Sequence, residues 1–157
     1  MSPTAYILIG NVGSGKSTWA KKFVKKNPNT VIICRDNIRE MLNGKYIFSK
    51  EQEPLVMSIR NRCIEEVLRE SYNLIVDETS LNRERRNGLT SFIKFVEPRI
   101  IINYVIFRTP REKCIENRTK NNKGYSKEKW EEIYDWMQED FDEPDMSKEW
   151  YQEIIEV

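Results

Sequence analysis

Between four strand-forming residues, Tyr6-Ile7-Leu8-Ile9, and a stretch patterned as a helix lies Gly10-Asn11-Val12-Gly13-Ser14-Gly15-Lys16-Ser17-Thr18. No other feature limits the fold of this chain so tightly. The run fits G-x-x-x-x-G-K-[ST], and strand–loop–helix is the context in which that pattern carries chemistry. Glycines let the backbone curl until its N–H groups converge on phosphate oxygens. The start of the following helix adds partial positive charge. Lys16 can reach β- and γ-phosphates, and the Ser17 hydroxyl can ligate Mg²⁺. The plain alternative is a Gly/Ser-rich turn without a ligand. The four fixed positions coincide by chance in roughly one chain of this length in a hundred, or fewer. Residues 10–18 are therefore expected to hold the phosphates of ATP or another nucleoside triphosphate.

The remaining sequence alternates strands and helices. Ser17 to Lys26 reads as a helix, with Trp19, Ala20, Phe23 and Val24 at helical spacing. Thr30 to Cys34 is an apolar, β-branched run, the mark of a buried parallel strand. A short helix opens at Arg35 and closes at Asn43-Gly44. Ser49 and Gln52 then fit a capping box. The helix beyond it carries Val56, Ile59, Cys63, Val67 and Leu68 as its apolar face. Asn73–Val76 is a third strand, and a helix over 82–96 has Leu89, Phe92, Ile93 and Phe95 as its apolar residues. A strand over 99–107, helices from about Arg111 and around Trp130, and a strand over 152–157 complete the pattern. This order specifies a single three-layer α/β domain, 1–157, with a mostly parallel central sheet.

Composition narrows the function. The 157 residues contain no histidine, which removes histidine acid–base catalysis, His-ligated metals and histidine phosphotransfer. Cys34, Cys63 and Cys114 are odd in number and far apart, so buried apolar thiols are expected, with neither a disulfide framework nor a CxxC metal site. No apolar run is long enough to span a membrane and the N-terminus lacks a signal peptide's basic start, so a cytoplasmic protein with no membrane partner is expected. The net charge of +1 hides an asymmetry. Residues 1–126 hold 23 Lys/Arg against 13 Asp/Glu, whereas 127–157 hold 3 against 12. A basic body suits a polyanionic ligand, though ordinary solvated helix faces explain it equally.

Four groups could carry chemistry beyond the loop. Asp77-Glu78 stand at the carboxyl end of the third strand, where open parallel sheets bind ligands, and either could hold Mg²⁺ together with Ser17. Asp36 and Arg39 follow the second strand; Asp36 could take the proton of an attacking hydroxyl, and Arg39 could grip an anionic acceptor. The same pair also fits an N-cap and its i,i+3 partner. Arg118, Lys120 and Lys123 sit among Asn and Gly, as a basic lid over about 117–126 would, or a solvated loop. Arg83, Arg85 and Arg86 fit a nucleic-acid backbone contact, or a helix start paired to Glu84.

With GNVGSGKSTWA, RDNIR and DETSLNRERR in order along one chain, the sequence resembles the polynucleotide 5′-hydroxyl kinases, the kinase module of bacteriophage and bacterial end-repair enzymes. The weaker KYIFSKEQEPLV and the basic stretch before YSKEKWEEIYDWM lie where that family has its clamp helix and lid. The resemblance implies a P-loop kinase fold with a small lid, ATP as phosphoryl donor, Mg²⁺, and the 5′-OH end of DNA or RNA as substrate. It implies Asp36 as general base, Arg39 on the acceptor's adjacent phosphate, and Lys16 and Ser17 on the donor; among the basic residues of the lid segment, Arg118 is expected to be the lid cation. Two places depart from the family. Asp77-Glu78-Thr79-Ser80 stands where the family has D-x-T-N or D-T-N, and the lid arginines are out of register. No D-x-D-x-T phosphatase motif or ligase module accompanies it. A small-molecule, nucleoside or nucleotide kinase of the same fold is the alternative. A nucleotide-binding regulatory module is a third, against which the Asp36/Arg39 pair argues.

Overall fold

The computed structural model describes residues 1–157. Five strands, β1 (Thr4–Ile9), β2 (Thr30–Ile33), β3 (Asn73–Val76), β4 (Ile101–Ile106) and β5 (Glu153–Glu156), form one sheet in the order β2-β3-β1-β4-β5. Every neighbouring pair is parallel, so the sheet expected to be mostly parallel is wholly so. Six helices connect or flank the strands: α1 (Lys16–Lys26), α2 (Arg35–Asn43), α3 (Glu53–Arg69), α4 (Arg83–Val96), α5 (Arg111–Lys120) and α6 (Lys127–Glu139).

The layers follow from the period-2 alternation of side chains along each strand. On one face Ala5, Ile7 and Ile9, Leu74 and Val76, and Ile102, Tyr104 and Ile106 meet Ile64 and Leu68 of α3 and Leu89 and Ile93 of α4. On the other, Leu8, Ile75 and Val105 meet Ala20, with Trp19, Phe23 and Val24 of α1 around them. Both faces of β1 are thus buried, as a central parallel strand requires. A third cluster, Val12, Cys114, Ile115, Trp130 and Tyr134, seats α5 and α6 against the loop after β1. No helix is long and apolar enough to cross a membrane.

Several sequence expectations change at the helices. The buried stripe of α3 is Val56, Arg60, Ile64 and Leu68, a strict i,i+4 row centred on an arginine. Cys63 falls outside that row and is exposed, Cys34 is half-buried, and only Cys114 is the buried thiol expected of all three. Burial pushes the Cys34 thiol up to about 11, which leaves it inert as a nucleophile. The capping box does not form: the Ser49 hydroxyl donates to Glu51, and α3 starts at Glu53. Phe95, two residues on from Ile93, is carried to the outer side of α4 and is exposed. Residues 117–120 continue α5, so the irregular part of the basic segment is 121–126.

The charge asymmetry also resolves. Arg86 is fully buried and forks onto Glu149 at 2.7 and 3.0 Å, while donating to the carbonyls of Ser80, Leu81 and Asp142. Arg83 pairs with Glu149 and donates to the Glu143 carbonyl, and Arg108 pairs with Glu143. The acidic 127–157 segment is therefore, in part, the counter-charge of the body, and the expected Glu84 pairing is replaced by these long-range ones.

Candidate active site

The loop after β1 is held in shape by its glycines and its neighbours. Gly13 has φ +73°, and a Cβ there would stand 2.2 Å from the Cys114 carbonyl oxygen, so no side chain fits. Gly15, at φ +97°, caps α1 without any side-chain hydrogen bond, and the first turn of α1 carries no acidic residue. The opening N–H groups of α1 are consequently free for an anion. The Gly10 N–H donates to Thr79, the Thr109 hydroxyl to the Ser14 carbonyl, and the Asn117 amide to the Gly13 carbonyl. Asn11 is buried, with its amide donating to the Tyr134 carbonyl and its own oxygen accepting from the Val12 N–H.

Lys16 is buried, and its ammonium donates to the Gly10 and Asn11 carbonyls at 2.8 Å each and to Ser14 Oγ at 3.3 Å. All three are neutral acceptors. Burial lowers its pKa to about 8, with Asp77 and Asp36 opposing that shift. Ser17 and Thr18, exposed at the start of α1, line the cleft beside it.

Ser17 Oγ donates to Asp77 Oδ2 at 2.6 Å, across the gap between α1 and the end of β3. Glu78 faces elsewhere: Arg60 Nη1 bonds both its oxygens at 3.2 and 3.3 Å. Arg35 Nε also stands 3.0 Å from it, an ion pair without the alignment of a hydrogen bond. Of the two carboxylates that sequence left open, only Asp77 meets the Ser17 hydroxyl.

Asp36 and Arg39 lie one turn apart at the start of α2, with Arg39 Nη1 2.6 Å from Asp36 Oδ1. Arg39 is buried and forks onto Glu53 of α3 at 2.7 and 2.9 Å. Burial alone would lower its pKa, but the Glu53 hydrogen bonds and the Asp36 charge hold it above the ordinary value. Its guanidinium carbon is 5.5 Å from the centre of the Phe48 ring. Neither the simple N-cap reading nor an isolated clamp describes this pair: Asp36, Arg39, Glu53, Arg35, Glu78 and Arg60 form one chain of alternating charges.

The 121–126 segment reaches across to this group. Lys123 Nζ is 3.4 Å from Asp36 Oδ2 and 3.9 Å from Glu40, and lies 4.7 Å over the Tyr46 ring. Tyr125 meets Tyr46 edge-on. Arg118, on α5, spreads its guanidinium 4.8 Å over Trp130, leaves its Nε without a partner, and passes over Gly13. Lys120 is drawn off to Glu116.

Residues 12–18 and the charged groups just described, Glu116 apart, line one cleft of ≈ 1740 Å³ at the carboxyl ends of β1, β2 and β3, whereas Gly10 and Asn11 do not. Lys16, Ser17, Asp36, Arg39, Asp77, Glu78 and Arg118 are brought together there; Arg85 joins them at the rim, and Arg83 and Arg86 do not. The donor set fits Mg²⁺: one hydroxyl and one carboxylate, with room for phosphate oxygens and water to complete a hard-cation shell. No three His, Cys, Asp or Glu side chains gather elsewhere as a metal site. Sequence reasoning missed Glu53, Arg60 and Phe48. Arg60 had a signal, since it interrupts the i,i+4 apolar row of α3 and a charge on a buried stripe needs a partner.

A family profile described as an AAA domain, AAA_33, matches residues 6–144. The L-seryl-tRNA(Sec) kinase of Methanococcus maripaludis is 26% identical over 148 residues, covering 92% of this chain and 54% of that protein. The chain thus spans about half the length of the curated relative it matches. A chain in a solved Pnkp1/Rnl/Hen1 RNA repair complex superposes with a TM-score of 0.66 at 25% identity, over 90% of this chain and 47% of that one. A putative kinase from Chloroflexus aurantiacus superposes with a TM-score of 0.73 at 13% identity, over 99% and 85%, a likeness of fold alone.

Proposed function

The chain belongs to the AAA domain family that its residues 6–144 match and has the P-loop kinase fold; from that premise we propose that it transfers the γ-phosphoryl group of ATP, or another nucleoside triphosphate, to the 5′-hydroxyl end of DNA or RNA. The observation that carries this reading is that Lys16, Ser17 and Asp77 line one cleft with Asp36 and Arg39.

Backbone N–H groups of 10–18 and Lys16 hold the β- and γ-phosphates. Ser17 and Asp77 would hold Mg²⁺, which would supply positive charge to the donor phosphates. Asp36 accepts the proton of the 5′-OH as that oxygen bonds to the γ-phosphorus. The bond from the γ-phosphorus to its bridging oxygen breaks in the same displacement, and the nucleoside diphosphate leaves. Arg39, aimed by Glu53, binds the phosphate that follows the terminal sugar. Arg118, with an unpartnered Nε above the loop, supplies charge to the transferring group.

Incubation with γ-labelled ATP, Mg²⁺ and a 5′-OH oligonucleotide should label the oligonucleotide; no transfer to either DNA or RNA ends would refute the reading. The likeness to the seryl-tRNA(Sec) kinase favours one other acceptor, a hydroxyl carried on an aminoacyl-tRNA. Competition between the two acceptors for label separates the readings.

A further inference from the structure

We infer that Phe48 is a stacking platform for the terminal nucleobase of the acceptor, so that the acceptor site selects a nucleoside end over a bare alcohol. The inference rests on the transfer reaction proposed above and adds to it a residue that reads the base.

The acceptor side of the cleft is otherwise a place of charges: Asp36, Arg39, Glu53 and Lys123 face one another through ion pairs. Phe48 lines the same cleft and stays 53% exposed. The open part of this ring is apolar area that a ligand seated in the cleft would gain by burying. One side of its environment is settled, because the Arg39 guanidinium lies 5.5 Å from the ring centre. The neighbouring Tyr46 is already engaged, edge-on with Tyr125 and beneath the Lys123 ammonium. Phe48 is therefore the aromatic surface still available beside the Asp36–Arg39 pair.

The covering group follows from chemistry. A ligand that presents a hydroxyl to Asp36 and an anion to Arg39 is brought beside Phe48, whose ring centre is 5.5 Å from the Arg39 guanidinium carbon. For a polynucleotide end that group is the terminal base, a flat π-system that stacks on aromatic rings regardless of its identity. A sugar, a polyol or an aliphatic amino acid offers no flat π-system. The phenyl ring makes no base-edge hydrogen bond, so the platform requires a base without choosing among bases.

The test compares a 5′-OH oligonucleotide with one whose first nucleotide is abasic, keeping hydroxyl and adjacent phosphate the same. Wild-type protein should label both, with KM for the abasic end higher by about tenfold and kcat little changed, since stacking contributes about 1–3 kcal/mol per base. Phe48→Leu keeps apolar cover over Arg39 and removes the aromatic face. It should raise KM for the intact end by about the same factor and leave the abasic end unaffected, while Phe48→Trp restores the difference. Equal KM for intact and abasic ends in the wild type would overturn the stacking role while leaving the transfer reaction standing. A Phe48→Leu defect shared equally by both ends would also overturn it, because a merely structural role would act through Arg39 on either substrate. Transfer to neither end would overturn the transfer reading, and this inference with it.

Discussion

The two halves of the cleft solve the problem of buried charge in opposite ways. On the donor side Lys16 rests on two backbone carbonyls and a hydroxyl, and no carboxylate touches it. On the acceptor side every charge has an opposite neighbour, from Asp36 through Arg39, Glu53, Arg35 and Glu78 to Arg60. A cation held by neutral oxygens keeps its full attraction for an incoming anion. A cation forked onto a carboxylate is oriented, but an incoming phosphate has to compete with that partner. In the proposed reaction the Lys16 side suits the capture of an anion, and the Asp36–Arg39 side suits the fixing of an acceptor's position.

If the halves are separable, a change in one should leave the other working. The largest expected effect is Asp36→Asn, which keeps the size of the side chain and removes the proton acceptor. Transfer should fall by about 10²–10⁴ in kcat, with ATP affinity, measured by titration calorimetry, within about twofold of wild type. A parallel loss of ATP binding would break the comparison, because it would make Asp36 part of the donor site. Next comes Arg39→Lys. An ammonium cannot fork onto Glu53 as the guanidinium does, so the acceptor should lose its anchor. We expect KM for the oligonucleotide to rise about tenfold to a hundredfold, on the scale of one lost charge-assisted hydrogen bond at ~1.5–3 kcal/mol, again without change in ATP binding.

The same division explains what could be read from sequence. The donor half is local: strand, loop and helix are contiguous, and glycines at 10, 13 and 15 mark positions that a side chain would block or strain. Asp36 and Arg39 were visible because they too are one turn apart on one helix. What surrounds them was not, because Glu53, Glu78 and Lys123 arrive from α3, the end of β3 and the 121–126 segment. Nothing in the spacing of Glu53 says that it meets Arg39. The choice between Asp77 and Glu78 was equally hidden. Successive side chains leaving a strand point to opposite sides, so one acid reached Ser17 and the other Arg60. Cys63 is misplaced for a related reason: an apolar count puts Ile59 and Cys63 on the buried face of α3, whereas the buried row runs one residue on, through Arg60, which has its partner in Glu78, and Ile64.

The smallest effect sharpens the comparison through pH. Because burial holds Lys16 near 8 in the free protein, its folded-state pKa lies below that of an unfolded lysine, about 10.4. Between those two values the unfolded chain carries a proton that the folded chain has lost. The contribution of this group to stability therefore rises with pH across that window and is at its least favourable below about 8. Triphosphate binding should run the other way, since the phosphates need the ammonium. ATP affinity should drop by about tenfold from pH 8 to pH 9.5, with net proton uptake on binding in calorimetry across buffers of different ionisation enthalpy. In Lys16→Met both trends should flatten, the thermal midpoint losing its rise with pH above 8 and the residual ATP binding losing its fall. Acceptor KM, governed by an arginine that keeps its proton throughout this range, should change far less. If ATP affinity held constant to pH 10, the Lys16 ammonium would have to be stabilised by a neighbouring carboxylate, and the donor half would be ion-paired like the acceptor half.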